Sequence, residues 1–197
     1  RRMPQLKSEQ YPVCSLDSGG FKPEPAVFVV FGATGDLSHR KIFPALFDLF
    51  LGGILPEDLL MVGFARKDLD HKKFREGLRQ GCASFARAAA FDEEQRKRFS
   101  SRVYYLRSDL EDSRGYVRLA DVLAGRENGF FKAIDAIPKN ILFYLAVGPE
   151  HFGTISDRLG AAGLGYRRDR GGQRAAPGVK SAPTQGWRRL LVEKTYG

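Results

Sequence analysis

The run Phe-Gly-Ala-Thr-Gly-Asp-Leu-Ser-His-Arg-Lys at 31–41 sets two glycines three positions apart directly after an apolar segment, a spacing suited to holding phosphate. Gly32 can take the backbone angles of a sharp turn, and Gly35, with no side chain, lets a diphosphate approach the main chain. The amides of the following turn then face the anion, favoured by the partial positive charge of a helix start. Thr34, Ser38 and His39 add side-chain donors. A Gly-x-x-Gly pair is less specific than Gly-x-Gly-x-x-Gly, and two glycines can also serve a turn alone. Asp36 has the wrong sign to touch phosphate and reads as a cap on the helix start.

A second cluster lies in Val-Gly-Phe-Ala-Arg-Lys-Asp-Leu-Asp (62–70), where Arg66 and Lys67 follow another apolar run. In dinucleotide sites the end of the second strand meets the adenosine ribose: an acid accepts from a free 2′-hydroxyl, while an arginine accommodates a 2′-phosphate. A guanidinium here favours NADP over NAD. Taken alone, both residues also read as solvated loop charges; the glycine turn upstream tips the reading towards a coenzyme.

Both clusters need strands to place them. AVFVVF (26–31), LLMVGFA (59–65), VYYL (103–106), ILFYLAV (141–147) and RLLVE (189–193) are short, largely uninterrupted apolar runs of strand length. Between them lie segments with helical spacing, at 42–50, 69–80, 91–99, 116–123 and 149–163. Buried strands alternating with helices imply crossover connections, hence an α/β fold: a doubly wound parallel sheet with helices on both faces. Pro44 either occupies an early turn of the first helix or kinks it.

The 197 residues, 43% of them hydrophobic, suffice for one packed domain and are too apolar for a disordered chain. Two cysteines, Cys14 and Cys82, cannot build a disulfide framework, nor a four-ligand zinc site with three scattered histidines, and point to a reducing, cytoplasmic setting. No run approaches the roughly 18 to 20 apolar residues of a membrane span, and the start lacks the apolar core of a secretory signal. Residues 1–25, rich in proline and mixed charge, read as a flexible tail, and 26–197 as the folded domain. Residues 171–186 read as an exposed insertion of Gly, Ala and Pro carrying only cationic charge; with Arg167, Arg168, Arg170, Arg188 and Arg189 they hold much of the +9 net charge. The first residue is arginine and the last five, ending at Gly197, follow an apolar run, so the sequence reads as part of a longer chain.

Four stretches in order, FGATGDLSHRKIFPALFDLF (31–50), ILPEDLLMVGFARKDL (54–69), NILFYLAVGPEHF (140–152) and WRRLLVEKTYG (187–197), resemble the amino-terminal dinucleotide-binding, Rossmann-like domain of the glucose-6-phosphate dehydrogenase family. The resemblance implies hydride transfer from C1 of glucose 6-phosphate to NADP, giving 6-phosphogluconolactone at the entry to the oxidative pentose phosphate pathway. It implies that Gly32, Ala33, Thr34, Gly35, Asp36, Leu37, Ser38 and His39 form the coenzyme diphosphate loop and that Arg66 meets the 2′-phosphate. Phe152 falls where relatives carry a coenzyme-contacting tyrosine. Lys194 matches the lysine of a Glu-Lys-Pro-Phe-Gly motif that serves coenzyme and sugar phosphate. A homo-oligomer of the full-length protein, without membrane or specific nucleic-acid partners, is also implied.

Three departures stand out: Thr195 replaces the motif's proline, Gly148 replaces the first of a Pro-Pro pair, and the 171–186 insertion has no counterpart. The family's catalytic histidine lies in an Arg-Ile-Asp-His segment, which the resemblance puts beyond Gly197. None of His39, His71 or His151 has that context; the latter two read as surface residues of helices. The expectation is a chain that binds coenzyme without being catalytically complete, with an NADP(H)-sensing module as the alternative. No tyrosine has a lysine four residues on, as short-chain dehydrogenases require, and the phosphate-loop motif of nucleotide hydrolases is absent. The basic loop lacks the interleaved aromatics of a nucleic-acid stacking platform.

Overall fold

The structure, a computed structural model, describes residues 23–86, 93–132, 134–165 and 186–193. Five strands form one sheet: β1 (Ala26–Phe31), β2 (Leu60–Ala65), β3 (Val103–Arg107), β4 (Asn140–Leu145) and β5 (Arg188–Val192), in the order β3-β2-β1-β4-β5 with every pairing parallel. β1 and β2 are buried at all six positions, which is why they read as unbroken apolar runs rather than alternating ones.

The alternation inside those runs sorts residues between two cores. Phe28, Val30 and Met61 pack with α1 (Phe43–Leu51), α2 (His71–Phe85) and α3 (Glu93–Ser101) through Phe47, Phe74, Leu78 and Phe99. Val29, Phe31, Val62 and Phe64 pack with α4 (Ser113–Leu123) and α5 (Phe152–Ala161) through Tyr116, Leu119, Ile155 and Leu159. The sheet is thus doubly wound and Rossmann-like. From β1 the chain steps outward to β2 and β3, then α4 returns it to β4 on the other side of β1. That reversal leaves a crevice between the carboxyl ends of β1 and β4, where such folds bind ligands.

Pro44 is the second residue of α1, the early-turn alternative, and the backbone just before it widens into a π-turn over Ser38–Ile42. Phe43 donates to the Ser38 carbonyl, and Pro44 next in line has no N–H to continue the ladder. The wider turn meets that missing donor without breaking the helix.

His71 corrects an expectation. It is the first residue of α2, but its half-buried ring is wedged against Tyr104 and Phe130, with ring centroids 5.6 and 5.0 Å away, and its Nδ1 accepts from the Tyr105 amide at 2.9 Å. The preceding Asp70 caps α2 by accepting from the Lys73 amide at 2.7 Å. The leading segment up to Lys22 and the 166–185 stretch, including nearly all of the expected insertion, lie outside the described residues, as do Lys194 to Gly197.

Candidate functional site

The glycine turn follows β1 and faces the crevice. Gly32 has φ +76°, a left-handed conformation, and a Cβ there would sit 2.4 Å from the Ala146 carbonyl oxygen and 2.7 Å from a Val147 methyl, both in the loop after β4. Only glycine lets the two loops close on each other at the switch point. The Gly32 amide donates to the Phe64 carbonyl at 3.0 Å and Ala33 more weakly at 3.4 Å, while Gly35 donates back to the Gly32 carbonyl at 2.9 Å. Ser38, fully buried, closes the turn by donating its hydroxyl to the same Gly32 carbonyl at 3.0 Å.

The first helical bond of the following turn runs from the His39 amide to the Gly35 carbonyl, 3.1 Å. The amides of Asp36, Leu37 and Ser38 therefore precede any intrahelical acceptor and form the donor end of the helix. The Asp36 carboxylate, expected as a cap, instead lies exposed 3.7 Å from Arg40. The His39 ring is turned to α2, within 3.2 Å of the Gly77 carbonyl and edge-on to Phe85. Leu37 packs against the α1–α3 core, and Thr34 is half-buried in the turn.

Two further glycines, unnoticed in the sequence, bring this face together. A Cβ on Gly63 of β2 would come 2.6 Å from the Phe74 ring and 2.8 Å from the Ala33 methyl; one on Gly81 would come 2.9 Å from the His39 carbonyl oxygen. They let α2 settle against the sheet and the π-turn. The signal was their position inside an apolar strand and a helix, where glycine is otherwise costly.

Arg66, exposed, follows β2 and lines a cleft of about 450 Å³ with Arg107, Ser108, Asp109, Asp112, Arg114, Gly115 and Arg118. The bend that carries it is pinned by Tyr105 of β3, whose single O–H is shared between the Ala65 and Lys67 carbonyls, 2.9 and 2.7 Å away. Burial pushes that phenol up to about 12, so it remains a donor across the physiological range. Three of the cleft's four arginines face carboxylates: Arg107 with Asp68 at 3.0 Å, Arg114 with Asp112 at 3.1 Å and Arg118 with Glu127 at 2.7 Å. Arg66 has no carboxylate partner among the described residues.

On the far side of the crevice, the loop after β4 leads through Gly148 into a short 3₁₀ turn, Pro149–His151, and α5. Gly148 is overlaid by the Glu150 carboxylate, and Phe152, first residue of α5, is half-buried against the α4–α5 core. Tyr144 of β4 hydrogen-bonds the Glu193 carboxylate just past β5. Lys194, expected to serve coenzyme and sugar phosphate, falls in the segment from 194 to Gly197 outside the described residues. The one described cysteine, Cys82, is buried with its thiol pushed up to about 12 by desolvation, which leaves it unreactive. No described helix is long and apolar enough to cross a membrane.

A doubly wound parallel sheet with a glycine turn and, among the described residues, unpartnered helix-start amides at its switch point defines a dinucleotide-binding domain of the Rossmann class. Residues 29–197 match the family model described as glucose-6-phosphate dehydrogenase, NAD binding domain, and the chain belongs to that family. It is 34% identical over 173 residues to a glucose-6-phosphate 1-dehydrogenase of Chlamydia muridarum, a match covering 88% of this chain and 31% of that one. To the Bacillus subtilis protein of the same name it is 32% identical, over 87% of this chain and 29% of the other. A solved glucose-6-phosphate dehydrogenase in complex with its substrate glucose-6-phosphate superposes with a TM-score of 0.66 at 29% identity, covering 89% of this chain and 31% of that chain. The Mycobacterium avium enzyme gives a TM-score of 0.63 at 26% identity, with the same shares covered. The chain thus spans roughly 30% of the length of these relatives, and the match to the family model runs to Gly197.

Proposed function

We propose that the chain is the coenzyme-binding domain of an NADP-dependent glucose-6-phosphate dehydrogenase, with the domain at 26–197, a leading tail at 1–25 and a basic insertion at 171–186. The diphosphate lies on the amides of Asp36, Leu37 and Ser38, beside Thr34, in the turn that Gly32 and Gly35 keep open; Arg66 takes the 2′-phosphate. The observation that carries this reading is the guanidinium of Arg66, without a carboxylate partner among the described residues, in a cleft whose other arginines each face one. A Cβ-free cradle at Gly32 fits the main-chain approach of a diphosphate.

Bound NADP supplies the hydride acceptor for C1 of glucose 6-phosphate, whose product is 6-phosphogluconolactone. The chain's own part is binding and orientation: the turn and Arg66 fix the adenosine end, and the loop through Gly148 with Phe152 borders the other. Lys194 contributes an ammonium to coenzyme and sugar phosphate. The family's Arg-Ile-Asp-His segment is not among residues 1 to Gly197, so these residues by themselves bind coenzyme without completing turnover. The full-length protein is a cytoplasmic homo-oligomer.

Calorimetric titration tests the assignment. Arg66→Ala should cost about 1.5 to 3 kcal/mol of NADP affinity, the scale of hydrogen bonds to a charged group, and leave NAD binding unchanged. Equal losses for both coenzymes, or no NADP binding by the unaltered chain, refute it.

A further inference from the structure

Arg107 ends β3, and its register partner across the sheet is Ala65, the residue immediately before Arg66. Adjacent strands lie about 4.8 Å apart, so the two arginines leave neighbouring strand ends and line the same 450 Å³ cleft. Their commitments differ from those of the arginines across the cleft. Arg118 grips Glu127 with two parallel bonds, Nε to Oε2 at 2.9 Å and Nη2 to Oε1 at 2.7 Å. Arg114 likewise holds Asp112 through Nε at 3.1 Å and Nη2 at 3.3 Å. Among the described residues the Arg107 guanidinium bonds only Asp68, through Nη1 at 3.0 Å, which leaves most of its planar fork unspent there.

The Arg107–Asp68 pair is also wet, with side-chain exposures of 56% and 81%. An exposed pair of this kind holds weakly, typically by less than about 1 kcal/mol. A phosphate monoester carrying nearly two charges and three acceptor oxygens outcompetes a single carboxylate for such a guanidinium.

We propose that Arg107 is a second specificity-determining residue for the 2′-phosphate of the coenzyme, sharing it with Arg66, and that Asp68 is its resting counter-ion, displaced when the phosphate arrives. The inference rests on the coenzyme reading above and sharpens it: selectivity for the phosphorylated ribose comes from two strand ends. Asp68 then acts against binding, because its charge must give up Arg107 and remains close to the incoming anion.

The probes are 2′,5′-ADP, which carries the 2′-phosphate, and 5′-AMP, which does not, titrated calorimetrically into the chain. Arg107→Ala should weaken 2′,5′-ADP about tenfold and change 5′-AMP less than twofold. Asp68→Asn should tighten 2′,5′-ADP a few-fold, and that gain should vanish when Arg107→Ala is added, since the carboxylate acts through this guanidinium. Both side chains are exposed, and unchanged melting temperatures without ligand confirm that the variants fold. A change below twofold for 2′,5′-ADP in Arg107→Ala, an equal loss for 5′-AMP, or an Asp68→Asn gain that survives Arg107→Ala overturns the proposal. Arg66→Ala separates the two levels of failure. If it loses 2′,5′-ADP while Arg107→Ala does not, only the second arginine is wrong; if neither variant matters, the coenzyme assignment falls with it.

Discussion

The two edges of the sheet are finished in opposite ways. On β3, side chains one turn apart on α2 occupy the outward backbone: His71 Nδ1 accepts from the Tyr105 amide, while Arg75 donates to the Val103 and Ser101 carbonyls, the latter at 3.2 Å. The Arg75 guanidinium lies over the Tyr104 ring at 4.9 Å, and Val103, Tyr104, Tyr105 and Leu106 are all buried. On β5, Leu190, Leu191 and Val192 are 48, 45 and 47% exposed, apolar residues on both faces of a strand that pairs only with β4 among the described residues. One edge is sealed by its own crossover helix, as soluble sheets require. The other, among the described residues, leaves its apolar side chains about half exposed. The sealed edge also carries Tyr105 and Arg107, the first bonded to the bend around Arg66 and the second lining the cleft with it.

Truncating one leucine on each edge gives the largest contrast. Leu106→Ala empties a fully buried position packed with Phe64 and Tyr116 and should lower unfolding stability by about 2 to 5 kcal/mol. Leu190→Ala, half exposed already, should cost under about 1 kcal/mol. Denaturant unfolding of the two variants measures both, and equal losses would mean that β5 is covered after all.

A smaller effect should come from the seal itself. His71 accepts a hydrogen bond at Nδ1 only when that nitrogen is unprotonated. Burial lowers its pKa below the ordinary value of 6.5, and the charges of Arg75, Lys132 and Arg118 push the same way against Asp70. The folded value therefore lies below the unfolded one. The contribution is complete above the unfolded pKa and is lost as pH falls through the folded one. The melting temperature should drop on acidification below about pH 6.5, the ordinary imidazole value. The gap between the natural chain and His71→Phe should narrow over the same range. A gap that is constant with pH would show that the imidazole is not what titrates at this edge.

How much of this could be read from residue order differs by kind. β1 and β2 were legible almost to the residue, because a strand buried on both faces leaves a continuous apolar run. The glycine turn was legible because the left-handed Gly32 demands its residue type. That Arg66 directly follows the second strand was legible from the apolar run before it. Tyr105, Arg107 and Gly63 were not, since what matters about them is which strand or helix lies alongside, and sequence spacing does not encode strand order. His71 was misread for the same reason: its helix looked solvated, and the aromatic wedge around it comes from Tyr104 and from Phe130, beyond α4. Pro44 marked a disturbance in the first helix without saying that the chain would meet it with a π-turn.

The smallest expected effect tests the open edge most directly. Leu190 and Val192 stand opposite Phe143 and Leu145 and so point to the α4–α5 face, whereas Leu191 stands opposite Tyr144 on the other. Leu190→Lys with Val192→Lys places two cations on one face of an exposed edge, where charge discourages pairing and the long alkyl stems still cover the strand. Stability of the isolated chain should shift by no more than about 0.5 kcal/mol per site, as for exposed substitutions generally. Any self-association seen in sedimentation at high concentration should weaken, because an apolar edge that pairs only with β4 among the described residues is what another strand would add to. A loss of several kcal/mol in the monomer would instead place these side chains in a core, and the contrast between a sealed and an open edge would disappear.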